Sequence, residues 1–312
     1  MTAATVREEF VHPALLYRDD DEYLAGTVPF IRDGLAAGEP VAVAVPGPNL
    51  ELIRRALGAD ARRVLLRDMT AAGRNPGRII PTVLLAFADA HPGQRVRLIG
   101  EPIWAGRSAT EYPACAQHEA LINAAFTGRP ATILCPYNTD LLDPAWVADA
   151  YKTHPVIWDG DHHFDSIDYH DPAAVAAAFN LPLTGPPADA ATITVDLSNL
   201  PAVRRFVAGH ANRAGLAPER VADLTLAVNE LAANAVEHGG GTGEIALWTE
   251  QDRLICQVTD HGHLSHPLAG RIPAPADSLS GGRGLLLINQ LCDLVRVHTT
   301  PAGTTTHIHL QR

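Results

Sequence analysis

Three short stretches in the C-terminal part of this 312-residue chain carry side chains able to do chemistry. The first is LTLAVNELAANAVEHGGG, in which Glu230 and Asn234 stand four residues apart. On a helix that spacing stacks the two on one face, a turn from each other. A carboxylate there can accept a hydroxyl proton or hold a metal-bound water, and an amide oxygen is a hard neutral ligand suited to Mg²⁺. The second stretch is Asp260-His261-Gly262, where a carboxylate can accept the exocyclic amine of adenine and a glycine lets backbone approach the ring. The third is Ser280-Gly281-Gly282-Arg283-Gly284-Leu285, directly before an apolar helical pattern. A glycine-rich helix start offers unpaired N–H groups and a positive dipole end to phosphates, and Arg283 adds a charge. Taken singly, these stretches read more simply as a solvated helix face, a strand-end turn and ordinary loop geometry.

These residues need elements to position them. Val221, Leu224, Val228, Leu231 and Ala235 fall on one face of a helix spanning 218–238, so that helix packs on a sheet. Around it the pattern predicts a strand at 191–197, a helix at 199–214, strands at 244–249 and 253–259, a helix at 284–292 and a closing hairpin of 294–299 with 304–310. Helices bunched early and strands joined by short turns indicate an α+β layer. The N-terminal part alternates instead: helices at 23–37, 49–57, 77–90 and 112–126 separate strands at 40–46, 63–67, 95–99 and 131–135. That order implies crossovers and a mostly parallel α/β sheet covered on both faces, with ligands at the carboxyl ends of strands. The segment LPLTGPPADA at 181–190 forbids continuous helix or central strand and marks the linker, giving domains 1–185 and 186–312.

Hydrophobic residues make up 46% of the chain and charged residues 19%, enough apolar material for sizeable cores. A net charge of −11 gives no general attraction to phosphate backbones or anionic lipid, so neither direct nucleic-acid binding nor membrane binding is expected. The start MTAATVREEFVHP lacks a secretory pattern and no run of about 18 apolar residues exists, so a cytoplasmic protein is expected. Cys115, Cys135, Cys256 and Cys292 form no C-x-x-C pair and read as buried reduced thiols.

Taken together, the order N-E-L-x-x-N-A-x-x-H-G, D-x-G, a Pro-rich loop and G-G-R-G-L-x-L-I resembles the histidine-kinase-like ATPase superfamily over residues 190–312. The short lid and the G-G-R-G-L form are similar to the anti-sigma-factor serine/threonine kinases. The resemblance implies a two-layer α+β fold, ATP and Mg²⁺ as cofactors, and phosphoryl transfer to a protein hydroxyl. It implies Glu230 as base or water-orienting group and Asn234 as Mg²⁺ ligand. Asp260 and Gly262 match the adenine-recognition element. Gly282, Gly284 and Leu285 match the phosphate-facing turn and helix start, and 263–280 match the ATP lid. Where the family often has a second glycine after D-x-G, this chain has Leu264. No phosphoacceptor helix precedes the domain, so His210 is read as a surface residue. Implied partners are a sigma factor, an anti-sigma antagonist protein or both, and these related kinases commonly dimerise, which makes a homodimer an expectation.

The stretch from 11 to about 157 resembles the methanogen/methylotroph sensory (MEDS) domain, itself similar to RecA-like folds, on V-H-P-A-L-L-Y, F-I-R-D-G-L-x-x-G-E and I-L-C-P-Y. This implies sensing of an unidentified small-molecule ligand and no assigned catalysis. A phosphate loop ending in G-K-[ST] is absent, since the first predicted strand runs into PGPNLE. Ligand-facing candidates at strand ends and polar turns are His12, Tyr17, Glu101, Trp104, Arg107, Cys135 and Tyr137. Fifteen histidines also invite metal or haem readings: Asp161-His162-His163-Phe164-Asp165 with His170, the group His261, His263 and His266, and the pair His307 and His309. Structural roles are the expectation for all of these. Three functional classes follow: a sensor-controlled kinase acting by partner switching, an ATP-dependent binding module without transfer, and a small-molecule or metal sensor with a vestigial ATPase fold.

Overall fold

The computed structural model describes residues 10–272 and 283–312, which fall into two units, one ending at Phe179 and the other beginning at Asn180. Asn180 already belongs to the second unit: its amide donates to the Thr299 carbonyl and its side-chain oxygen accepts from the Thr299 N–H. The division therefore precedes the proline-rich segment rather than falling within it.

In the first unit the strands are β1 (Pro13–Tyr17), β2 (Val41–Val45), β3 (Leu65–Asp68), β4 (Val96–Gly100), β5 (Ala131–Asn138), β6 (Val156–Asp159) and β7 (His162–Asp165). They form one sheet in the order β3-β2-β4-β5-β1-β6-β7, parallel throughout except for β7. Strands β1 and β2 are buried residue by residue, as expected of parallel strands with both faces covered. The helices are α1 (Asp20–Ala36), α2 (Gly47–Leu57), α3 (Met69–Ala72), α4 (Ala86–Asp89), α5 (Tyr112–Ala125), α6 (Pro144–Thr153) and α7 (Pro172–Ala178). Asp19 caps α1 by accepting from the Glu22 N–H, and Pro144 and Pro172 each stand at the first turn of a helix capped by an aspartate. The helix expected at 77–90 is instead a 3-10 turn, a π-helical stretch Ile80–Leu85 and the short α4. Pro81, which has no amide proton to donate, sits inside that irregular turn.

The second unit contains β8 (Ala191–Asp196), α8 (Leu200–Arg213), α9 (Pro218–Glu237), β9 (Thr242–Glu250), β10 (Arg253–Asp260), α10 (Arg283–Leu291), β11 (Leu294–Thr300) and β12 (Gly303–Gln311). Its sheet is antiparallel in the order β11-β12-β10-β9-β8. The apolar stripes of α8 and α9 meet alternate strand residues such as Ile245, Leu247, Cys256, Val258 and Ile308 in one core. This is the two-layer α+β arrangement, whereas the first unit is α/β. All four cysteines are buried thiols. Among the described residues, no helix is long and apolar enough to cross a membrane.

Candidate functional site

The second unit gathers its chemistry-bearing residues at one end of α9. That helix stops at His238, and Gly239 follows so tightly that an added Cβ would lie 2.7 Å from both the Ala235 carbonyl and Asp260 Cβ. The close approach seats Asp260, the last residue of β10, against the helix end. Asp260 Oδ1 accepts the Gly262 N–H at 2.6 Å, leaving its second carboxylate oxygen for an external donor. Burial pushes the Asp260 carboxyl above its ordinary value, against the pull of that N–H. Gly262 itself has no room for a side chain, because a Cβ would stand 2.8 Å from the His238 carbonyl.

The start of α10 closes the other side. A Cβ on Gly284 would meet Glu230 Oε2 at 2.8 Å, so a larger residue here would push the Glu230 carboxylate out of its present place against this first turn. Asn234, Asp260, Gly262, Gly284 and Leu285 all line a single cavity of about 240 Å³, with Leu231, Val297, Thr304 and Thr306 adding its walls. Arg283 opens α10 and is exposed, while Gly282 lies outside the described residues. Residues 263–272 of the expected lid also belong to the described structure. Leu264 lines the cavity and its N–H donates to Thr299 Oγ1 at 2.9 Å, so a backbone hydrogen bond pins the position where a second glycine was expected. Farther along, the Asn289 amide donates to the Gly270 carbonyl at 3.0 Å, tying this segment to α10.

Thr304 and Thr306 escaped the sequence reading. They stand two apart on β12 and so share a face, and Thr304 Oγ1 donates to the Gly262 carbonyl at 2.8 Å. Their signal was the run Thr304-Thr305-Thr306 after the hairpin turn, which reads as ordinary strand composition. His210 is half-buried and occupied locally, its Nδ1 meeting the Phe206 carbonyl at 2.9 Å.

Three comparisons with known proteins place the chain among its relatives. Residues 193–310 match the model of the histidine kinase-like ATPase domain, and residues 11–155 match that of the methanogen/methylotroph, DcmR sensory (MEDS) domain. The serine-protein kinase RsbW of Bacillus subtilis (strain 168) is 34% identical over 108 residues, which cover 30% of this chain and 68% of that protein. The chain belongs to the RsbW-type histidine kinase-like ATPases. A second RsbW, from Halalkalibacterium halodurans, is 36% identical over 107 residues, 30% of this chain and 65% of its own length. This RsbW-type chain thus spans about two thirds of the curated relatives it matches, and joins a MEDS domain to that region. A crystal structure of the RsbU and RsbW domains of Rv1364c from Mycobacterium tuberculosis is similar at 22% identity and a TM-score of 0.30, over 40% of this chain and 33% of that one.

In the MEDS domain the seven ligand-facing candidates divide into three places rather than one. Tyr17 and Glu101 meet at the carboxyl ends of β1 and β4, joined by Tyr23 and Asn49. Glu101 is 2% exposed and receives hydrogen bonds from all three partners at 2.9–3.2 Å. Trp104 and Arg107 stack on each other, and Arg107 is spent on the Gly73, Arg74 and Pro102 carbonyls and on Glu111. Arg107 therefore holds loops together. His12, Cys135 and Tyr137 lie deeper, between the sheet and α5 and α6.

Burial pushes the Glu101 carboxyl from 4.5 up to about 7, against the three hydrogen bonds that favour its charged form. A carboxyl whose folded value is raised binds its proton more tightly in the folded chain. Its contribution is therefore fully present below the unfolded value of 4.5 and is lost as pH rises through about 7. The loss amounts to about 3 kcal/mol, at roughly 1.4 kcal/mol per pH unit between the two values. The stability of the first unit against denaturant, followed across that window, is expected to fall as pH rises in the wild type and to do so much less in Glu101→Gln. Parallel pH profiles for the two proteins would remove this assignment.

Proposed function

We propose that the second unit binds ATP with Mg²⁺ and transfers the terminal phosphoryl group to a serine or threonine hydroxyl of an antagonist protein. The carrying observation is the packing of Gly284, at the start of α10, on the Glu230 carboxylate beside a cavity that Asn234 and Asp260 both line. The residues fit the cofactor. Asp260 keeps one carboxylate oxygen for an adenine amine, and Gly262 leaves no side chain in the way of a ring. Leu231, Leu285 and Val297 offer apolar walls. Asn234 would hold the metal ion through its amide oxygen, and the α10 start would face the phosphates with unpaired N–H groups. Bound ATP supplies the transferable group, and Mg²⁺ neutralises its charge.

The remaining work falls to the chain. Glu230 would accept the proton of the incoming hydroxyl as the hydroxyl oxygen bonds to phosphorus and the bond from phosphorus to the bridging oxygen breaks, ADP leaving with that electron pair, a step that depends mainly on positioning. Leu264 and Ala269, which line the cavity, would help to keep out water that competes with that hydroxyl. The MEDS domain would set the activity of this unit in response to a small molecule. Exchange of an antagonist for a sigma factor would then carry the signal to transcription, in a cytoplasmic and homodimeric protein.

The test is incubation with ATP labelled on its terminal phosphate and a candidate antagonist. Label on an antagonist serine or threonine is the expected result. Nucleotide-dependent binding of the partner with no label on it would favour a binding module without transfer.

A further inference from the structure

The histidine-rich stretches of the sequence do not assemble a metal site among the described residues. Strand β7, which carries His162 and His163, is exposed, and His163 stacks on Trp158. His307 is engaged by Gln257. The chain instead assembles four potential ligands that are scattered along the first unit. They are His12 just before β1, Glu119 in the middle of α5, Cys135 on β5 and His154 at the end of α6, all buried, with their ligand atoms within 4.8 Å of one another.

Their distances have a specific meaning. His12 Nε2 lies 3.3 Å from Cys135 Sγ and 3.4 Å from Glu119 Oε2, and His154 Nε2 lies 3.3 Å from the same oxygen. A tetrahedral zinc ion with bonds of about 2.0–2.3 Å spaces its ligand atoms about 3.3–3.6 Å apart. Neither oxygen of Glu119 nor Nε2 of His154 has a partner in hydrogen-bonding geometry, although each is fully buried. Such orphaned groups are costly in a folded interior.

The outer nitrogens of both imidazoles are already committed. His12 Nδ1 meets Asn123 Oδ1 at 3.1 Å, and the Asn123 amide is anchored on the Thr153 carbonyl at 2.8 Å. His154 Nδ1 meets the Ala150 carbonyl at 2.9 Å. Carbonyl acceptors at Nδ1 place the proton there and turn the Nε2 lone pair inward, the arrangement that outer partners impose on metal-ligating histidines. Charge also balances, because a divalent ion with one carboxylate, one thiolate and two neutral imidazoles leaves no net charge to bury.

We propose that His12, Glu119, Cys135 and His154 form a closed four-coordinate site for a divalent, borderline-soft ion of the zinc class. Binding breaks the Cys135 S–H bond, and the sulfur lone pair bonds to the ion as the proton leaves to solvent. With four protein ligands the site has no open position, which fits a structural or metal-sensing role rather than catalysis. It ties the sheet to α5 and α6 within the first unit.

The test is metal analysis of the full chain purified without chelator, followed by chelation and reloading with Co²⁺. Zinc in stoichiometric amount is expected, and the cobalt form should show a thiolate charge-transfer band with the intense visible bands of a tetrahedral ion. Cys135→Ser should lose the charge-transfer band. Asn123→Ala, which touches no metal, should weaken zinc binding on the order of 10–100-fold. Folded wild type that holds no zinc after dialysis against a zinc-containing buffer overturns the proposal, even if Cys135→Ser does not fold. So does a charge-transfer band that survives in Cys135→Ser.

Discussion

Glu230→Gln is expected to bind ATP within a few fold of the wild type and to lose phosphoryl transfer by about 10²–10⁴-fold, the range a positioned general base contributes. Glutamine keeps the size of the side chain, so the contact that Gly284 makes with this position survives and α10 keeps its seat on α9. What disappears is the ability to take a proton. Single-turnover transfer to the antagonist measures the loss, and nucleotide affinity measured alongside separates chemistry from binding. Equal loss of both would reduce Glu230 to a packing residue for α10. Unchanged transfer would take the proton-accepting role from it altogether.

Asn234→Ala carries the second large effect. Asn234 lines the cavity one turn beyond Glu230 on α9, and its backbone carbonyl accepts the His238 and Gly239 N–H groups that end the helix. Alanine keeps that backbone role and favours helix, so stability should barely change. Removal of the amide oxygen takes away the proposed metal ligand, and ATP affinity in the presence of Mg²⁺ should fall on the order of 10–100-fold. Calorimetric titration with and without the metal is the check. The wild type should need Mg²⁺ for tight binding, whereas the variant should respond to it weakly. Equal affinities in both proteins would move the metal elsewhere.

The second unit was legible because its chemistry is local in sequence. Glu230 and Asn234 share a helix face, and Asp260 and Gly262 share one turn, so spacing alone could carry them. The two-layer arrangement followed from the apolar stripe of α9 and the closing hairpin, both of which the structure reproduces. The first unit was legible as alternating elements and much less so as sites. Strand β1, five residues headed by Pro13 and absent from the predicted elements, lies inside the sheet between β5 and β6. Helix α6 and the β6–β7 hairpin were also missed. The Asp159-Gly160 turn, with Gly160 at φ +57°, was obscured by the histidines that follow it.

The same limit applies to site residues. Tyr23 and Asn49 join Glu101 through contacts spanning 78 and 52 residues. Glu119 and His154 reach His12 only because the fold brings α5 and the end of α6 up to it, so no spacing announces them. Of the histidines clustered in sequence, His162 and His163 lie on an exposed strand, whereas the buried group of four uses His12 and His154, which stand alone in sequence.

A crystal structure of the chain with a non-hydrolysable ATP analogue and Mg²⁺ tests the nucleotide assignment most directly. The adenine amine should donate to Asp260 beside Gly262, the metal should sit on Asn234, and the phosphates should face the first turn of α10. An analogue bound elsewhere, with the Asp260–Asn234–Gly284 cavity unchanged and filled by water, would contradict the assignment.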